Sequence, residues 1–257
     1  MICHLNGSLD LLTDVVGRKD SMRVVTRTGL LISAFALFLS WTGDCRKLLA
    51  QESGIKVPDG FTVELYADDD LAHDIHSLTI DAKGRVVVSG PGYVRTLIDS
   101  DSDGKADRFQ LFADRPATGS QGMFFLGNHL LCSGDEGLQI FRDENGDGAA
   151  DGPPQVFMKI AAGGEHHVHS IQKGPDGWWY IVAGNFSGVT KAYATTPTSP
   201  LKDPVSGTLL RLRPDLSGGE IVADGFRNTY DFAFNGSGDF SMEVGGEEGH
   251  FGVMEEG

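Results

Sequence analysis

The chain is poor in cysteine: Cys3, Cys45 and Cys132 are all it has, too few for a disulfide framework. None stands in a Cys-x-x-Cys-His string, so the chain carries no c-type haem of its own. It is also poor in cations, with 21 Lys and Arg against 36 Asp and Glu. A formal charge of −15 argues against nucleic acid as a partner, because phosphate binding needs clustered Lys and Arg. Long hydrophobic stretches are scarce as well. The run Gly29–Trp41 (GLLISAFALFLSW) falls short of the roughly 20 residues a spanning helix requires. Preceded by Arg23 and Arg27, it has the make-up of a signal-peptide core. Met22 is the better start, cleavage after Ala50 is expected, and a retained anchor is the alternative. The expected division is a leader over 1–50, a linker over 51–57 and one domain over 58–257. Export to the periplasm, or to the outer face of the inner membrane, follows.

Helical periodicity is missing throughout the chain after residue 51. Short apolar runs between Gly, Asp and Pro clusters take its place, with 35 glycines, about twice the usual share, as turn-rich β architectures require. FTVELYA (Phe61–Ala67) alternates Phe61, Val63 and Leu65 against Thr62, Glu64 and Tyr66, the period of a half-buried strand. His76–Gly90 holds two apolar runs around a Lys83-Gly84 turn, and Tyr93–Ile98 continues as another strand.

The acidic nonapeptide Asp99–Asp107 (DSDSDGKAD) returns 44 residues later as Asp143–Asp151 (DENGDGAAD). Upstream the register holds without a gap: Val86-Val87-Val88 maps onto Leu130-Leu131-Cys132, and Ser89-Gly90 onto Ser133-Gly134. His76-Ser77 recurs as His169-Ser170 about two periods on. A period in the low forties made of short strands is one four-stranded propeller blade. The expected fold is an all-β β-propeller, an incomplete six-bladed type, since about 200 residues at about 42 per blade supply four to five blades. The Gly- and Glu-rich segment from Ser241 is expected to lack a closing strand, and a truncated chain is the favoured explanation.

In the first acidic loop Asp99, Asp101, Asp103 and Asp107 occupy positions 1, 3, 5 and 9; in the second Asp143, Asn145, Asp147 and Asp151 do. Alternate residues of a tight loop deliver hard oxygens to one point, as Ca²⁺ requires. Gln110 and Pro154 stand where an EF-hand needs its Glu, so these are abbreviated loops joining strands. An acidic turn without an ion is the alternative.

The stretch around which the chain is organised is Gly164–Asn185 (GEHHVHSIQKGPDGWWYIVAGN). Glu165, His166, His167 and His169 lead into a strand, a Gly-Pro-Asp-Gly turn and a second strand, so the imidazoles lie where a loop enters a sheet. Such a cluster could also hold a transition metal. Trp178, Trp179 and Tyr180 read as strand residues, and Cys132 as a small buried hydrophobe.

His166 stands eight residues before Gly174-Pro175-Asp176, and Gly225-Phe226-Arg227-Asn228 precedes an apolar strand with Phe232 and Phe234. On these motifs the chain resembles the soluble quinoprotein glucose/sorbosone dehydrogenase family. Closer still, over GRVVVSGPGYV, both acidic loops and ADGFRNTYDFAFN, it resembles the N-terminal propeller of bacterial proteins named as membrane-bound dehydrogenases. The resemblance implies that His166 is the general base taking a proton from a sugar or alcohol hydroxyl, with hydride passing to pyrroloquinoline quinone (PQQ). It implies that Arg227 and Asn228 bind the quinone, that a calcium ion polarises it, and that a c-type cytochrome takes the electrons. The family's acidic calcium segment is replaced here by Glu243–His250. A non-catalytic, calcium-stabilised propeller scaffold for carbohydrate or protein is the alternative, and Arg227 pairing with Asp224 or Asp231 is the alternative for that side chain.

Overall fold

The computed structural model describes residues 2–6, 55–244 and 250–253. The leader expected over 22–50 lies outside them, as does most of Glu243–His250. The chain divides into two compact units, Met1–Tyr66 and Ala67–Gly257. In the first, β1 (Ile2–Asn6) pairs with β2 (Thr62–Ala67). The alternation expected for β2 is only partly realised: Val63 is buried, whereas Phe61 and Leu65 are 46% and 39% exposed. A two-stranded ribbon has too little opposing surface to bury a whole face.

The second unit is a β-propeller. Its first blade runs β3 (Ser77–Ile80), β4 (Val86–Gly90), β5 (Tyr93–Ile98) and β6 (Arg108–Ala113). The second runs β7 (Met123–Leu126), β8 (His129–Gly134), β9 (Gly137–Phe141) and β10 (Gln155–Lys159). The third runs β11 (Val168–Lys173), β12 (Trp179–Ala183), β13 (Gly207–Leu212) and β14 (Gly219–Phe226), and β15 (Phe232–Phe234), β16 (Phe240–Val244) and β17 (His250–Val253) form a fourth sheet. Each sheet is an antiparallel meander in chain order. The repeat of 44 residues is therefore the step from the first blade to the second, carrying β4 onto β8. The Gly- and Glu-rich end contributes β16 and β17, which the sequence reading does not foresee, to a sheet of three strands among the described residues. Its short apolar positions are separated by Gly-Gly-Glu-Glu-Gly, which hides the alternation.

Apolar side chains fill the space between successive blades. Val87, Val94 and Phe112 meet Leu130, Cys132 and Phe141 between the first and second. Leu131, Leu138 and Ile140 meet Ile171, Trp179 and Ile181 between the second and third. Val182 and Leu209 meet Phe232 between the third and fourth. Strands buried on both faces need apolar residues at consecutive positions, which is why β4, β8 and β12 read as unbroken runs. Cys132 is fully buried, and burial pushes its thiol up to about 12, so it packs as a hydrophobe.

A polar cluster ties the long β12–β13 connection to the third blade. Glu220 on β14 is 1% exposed and faces Arg211 across the ladder, accepting from its Nε and Nη2 at 2.7 Å each. The hydroxyls of Thr196 (2.9 Å) and Thr198 donate to the same carboxylate. Burial works against the ionised Glu220, but the hydrogen bonds of Thr198, Arg211 and Thr196 outweigh it and hold the carboxyl below its ordinary value. A carboxyl with a lowered folded pKa adds stability that is fully present above the ordinary glutamate range, and it is lost as pH falls through the folded value. Glu220→Ala removes the nearer anionic partner of Arg211, leaving Asp176 at 3.8 Å, and is expected to cost about 1–3 kcal/mol at pH 7, measured by urea unfolding. Below pH 4 the gap between variant and parent narrows; a constant gap would contradict the role assigned to the ionised carboxylate.

Candidate functional site

Antiparallel meanders place alternate connections at opposite ends of the propeller. The entries to the inner strands, the β12–β13 connection and the β14–β15 connection share one end. The turns that join the first strand of each blade to the second, and both acidic loops, which join β5 to β6 and β9 to β10, share the other. His166, Arg227 and Asn228 therefore meet at one end, and the acidic loops lie within blades at the far end.

His166 precedes β11 and is 9% exposed. Its Nδ1 lies 2.6 Å from Oδ1 of Asn185, just beyond β12. An amide oxygen only accepts, so Nδ1 carries the proton and Nε2 keeps the lone pair that a general base needs. The backbone locks this arrangement. Phe186 N–H donates to the His166 carbonyl (3.0 Å), Gly184 N–H to that of His167 (2.9 Å), and Asn185 N–H to that of Arg227 (2.8 Å). Gly184 is required: a Cβ there would stand 2.5 Å from the His166 carbonyl oxygen. The Phe186 ring stacks on the imidazole, centroids 5.0 Å apart and planes inclined by 23°.

His169, fully buried on β11, donates from Nε2 to Oδ1 of Asn228 at 2.8 Å, which leaves the Asn228 amide hydrogens free to donate. Burial, above all, pushes the His169 imidazole below its ordinary value, outweighing the Asn228 bond, and so favours the uncharged ring. Tyr230 packs on His169 at 4.7 Å and donates its hydroxyl to the His76 carbonyl at 2.7 Å. Between the inner strands lies a recess of about 390 Å³, bordered by His76, Ser77, Gln121, Ser170, Gln172 and Tyr230. Nδ1 of His76 and Oε1 of Gln121 are buried without a hydrogen-bond partner among the described residues.

The histidines do not converge on a point. His166 goes to Asn185, His169 to Asn228, and Nδ1 of His167 to the backbone of Ala162 and Gly164 at 3.0 Å. Arg227 is exposed and forms no ion pair among the described residues. Asp224 and Asp231 instead accept from the backbone N–H groups of Val205 and Phe232. An unpaired guanidinium beside a free amide donor suits an anionic, planar quinone. The donor set thus fits PQQ.

The two acidic loops wind alike. Asp99 accepts the N–H groups of Ser102 (2.7 Å) and Gly104 (2.9 Å), and Asp143 those of Gly146 (2.7 Å) and Gly148 (3.0 Å). Asp107 accepts from Ser100, and Asp151 from Glu144, both at 2.6 Å. Among the described residues only Asp99, Asp101 and Asp107 bring three carboxylate oxygens together, within 4.8 Å of one another. Asp103 and Asp147 accept from the loop backbone two residues on, at 2.9 Å each. In the second loop Asn145 donates its amide to Asp151 at 3.0 Å, where the first loop has a carboxylate. The first loop fits a hard cation better than the second.

Sequence reasoning does not single out Asn185, Phe186, Gln121 and Tyr230, and it notes His76 only as the repeat of His169. Asn185 closes the His-rich stretch and Tyr230 follows Arg227-Asn228, the signals that could have found those two.

The fold is a β-propeller, and its likeness to solved structures is one of fold. The chain belongs to the DUF7133 family, described as a domain of unknown function, whose model matches residues 50–251. None of the curated proteins matches it. Among solved structures it is similar to the PQQ domain of pyranose dehydrogenase from Coprinopsis cinerea in its holo form (12% identity, TM-score 0.56, 74% of this chain and 47% of that one). It is similar to the PQQ-bound aldose sugar dehydrogenase of Streptomyces coelicolor (19% identity, TM-score 0.50, 72% and 61%). A third likeness is the calcium structure of a family AA12 carbohydrate-active enzyme of Trichoderma reesei (12% identity, TM-score 0.55, 74% and 49%). The chain spans about half to three-fifths of the length of these proteins.

Proposed function

We propose that the propeller is a quinone-dependent dehydrogenase domain that oxidises a sugar or alcohol hydroxyl. The observation that carries this reading is the Asn185–His166 pair, which leaves a lone pair at Nε2 beside the Arg227–Asn228 segment. His166 Nε2 takes the hydroxyl proton while the C–H electron pair leaves as hydride, so the substrate becomes a carbonyl compound. Asn185 holds the tautomer, His169 orients Asn228, and Arg227 and Asn228 hold the quinone oxygens. PQQ, when bound, supplies the hydride acceptor. The acidic loops, Asp99, Asp101 and Asp107 foremost, bind calcium that stiffens the blades at the end away from the chemistry. A c-type cytochrome on the exported side is the proposed electron acceptor, since the chain has no haem motif of its own.

Thermal unfolding of the full chain, with calcium and PQQ added separately and together, tests this reading. A ligand that binds only the folded state at a hundredfold excess over Kd adds about 2.7 kcal/mol, a shift of a few degrees for a domain of this size. Both ligands are expected to raise the midpoint. Asp101→Ala with Asp147→Ala removes the calcium shift alone, and Arg227→Ala removes most of the quinone shift alone. If quinone produces no shift, the dehydrogenase reading falls, and a calcium-stabilised scaffold for carbohydrate or protein partners takes its place.

A further inference from the structure

In the second acidic loop Asn145 stands where the first has Asp101, and Gly146 follows it. In an Asn-Gly pair the side-chain amide is open to attack by the next backbone nitrogen, because glycine has no Cβ to crowd the cyclic imide that forms. Asn6-Gly7 and Asn235-Gly236 are the other such pairs in the chain. What sets Asn145 apart is its surroundings. Its side chain is exposed, and its Oδ1 accepts the Asp147 N–H at 2.8 Å. That bond closes an Asx turn, in which Cγ takes the place of a backbone carbonyl carbon and is folded back against the nitrogen of the next residue. The same N–H polarises the side-chain carbonyl. The Gly146 N–H donates to Oδ1 of Asp143 at 2.7 Å. An N–H bond lies in the peptide plane, so the face of the nitrogen stays open to Cγ while a carboxylate faces the proton. Asp143 is 3% exposed and its other oxygen accepts the Gly148 N–H at 3.0 Å, which fixes it in place. At Asn235 the Asx turn recurs, with the Ser237 N–H on Oδ1 at 2.9 Å, but among the described residues no carboxylate meets the Gly236 N–H.

We infer that Asn145-Gly146 is a self-modifying site, at which the loop converts its own asparagine to aspartate. The Gly146 nitrogen bonds to Cγ of Asn145, and the Cγ–Nδ2 bond breaks. The Gly146 amide proton passes by way of Asp143 to the departing nitrogen, which leaves as ammonia. Water then opens the cyclic imide, to aspartate or to its β-linked isomer. Nothing but water is consumed, and the conversion needs nothing from the dehydrogenase site. The first loop shows that the fold accepts the α-linked product: Asp101 makes the same turn, accepting from the Asp103 N–H at 3.2 Å. Conversion gives the second loop the carboxylates of the first and adds one negative charge.

Peptide mapping by mass spectrometry tests this on the full chain, kept in calcium-free buffer at neutral pH, folded and in urea. Asn235, in the same digest, is the reference. In the folded chain Asn145 is expected to gain the mass difference between amide and acid at least about tenfold faster than Asn235, a small part of what a positioned proton acceptor can supply. In urea the two rates should converge. Asp143→Asn, which keeps an oxygen for the turn but takes up no proton, should bring Asn145 down to the rate of Asn235. Three results would overturn the inference: an Asn145 that outlasts Asn235 in the folded chain, one that converts faster in urea than folded, or an Asp143→Asn protein that keeps the parent rate. The first two would mean that the loop protects its amide; the third would remove Asp143 from the chemistry.

Discussion

His166→Ala is expected to lower turnover of a sugar or alcohol by about 10²–10⁴-fold, the range a positioned general base supplies. The fold should survive, because His166 sits in a connection, with Phe186 rather than the inter-blade core against its ring. Quinone affinity should change little, since Arg227 and Asn228 reach this end from the separate β14–β15 connection. Asn185→Ala is expected to act in the same direction but less strongly. It leaves the base in place and removes only the acceptor that fixes its tautomer. Steady-state rates paired with quinone titration check this: a His166→Ala protein that turns over at the parent rate removes His166 from the chemistry.

Gly122→Ala is expected to destabilise the propeller by about 3 kcal/mol or more, at the upper end of what overpacking costs. Gly122 lies at the entry to β7, where the second blade meets the third. A Cβ there would stand 2.3 Å from the carbonyl oxygen of His169 and 2.6 Å from the Cα of Ser170. Both are backbone atoms of the inner strand β11, so no side chain can swing aside; the two blades must separate. Because β11 also carries His169, the strain reaches Asn228 through their hydrogen bond. Gly152→Ala is the control, since nothing lies within 4 Å of the added methyl, and it should stay within about 0.5 kcal/mol of the parent. Denaturant unfolding of both variants separates packing from glycine's backbone freedom. Equal midpoints would contradict the close approach.

The blades were legible because their determinants are local and repeated. The period of 44 residues repeats one whole blade, and the unbroken apolar runs of β4 and β8 and the acidic loops recur in register within it. The Gly174–Trp178 hairpin is legible for the same reason: Gly174 N–H bonds Trp178 O at 2.8 Å, with Gly177 at φ +84°. The site was legible only in its ends. His166, Arg227 and Asn228 stand out by motif. Their partners, however, are set by pairings 19 residues apart for His166–Asn185, 59 for His169–Asn228 and 154 for Tyr230–His76. Such contacts are products of blade packing, and no spacing in the sequence encodes them. The acidic loops show the opposite limit: two copies alike in sequence differ in what they converge, because Asn145 stands where Asp101 does and donates to Asp151.

The central claim is tested most directly by loading the full chain with PQQ, adding an aldose pyranose, and following the absorbance of the oxidised quinone in a single turnover. The account predicts loss of that absorbance in the parent protein, and none on the same timescale in His166→Ala loaded to the same extent. Bound quinone that keeps its absorbance in the parent across a panel of sugars and alcohols would contradict it.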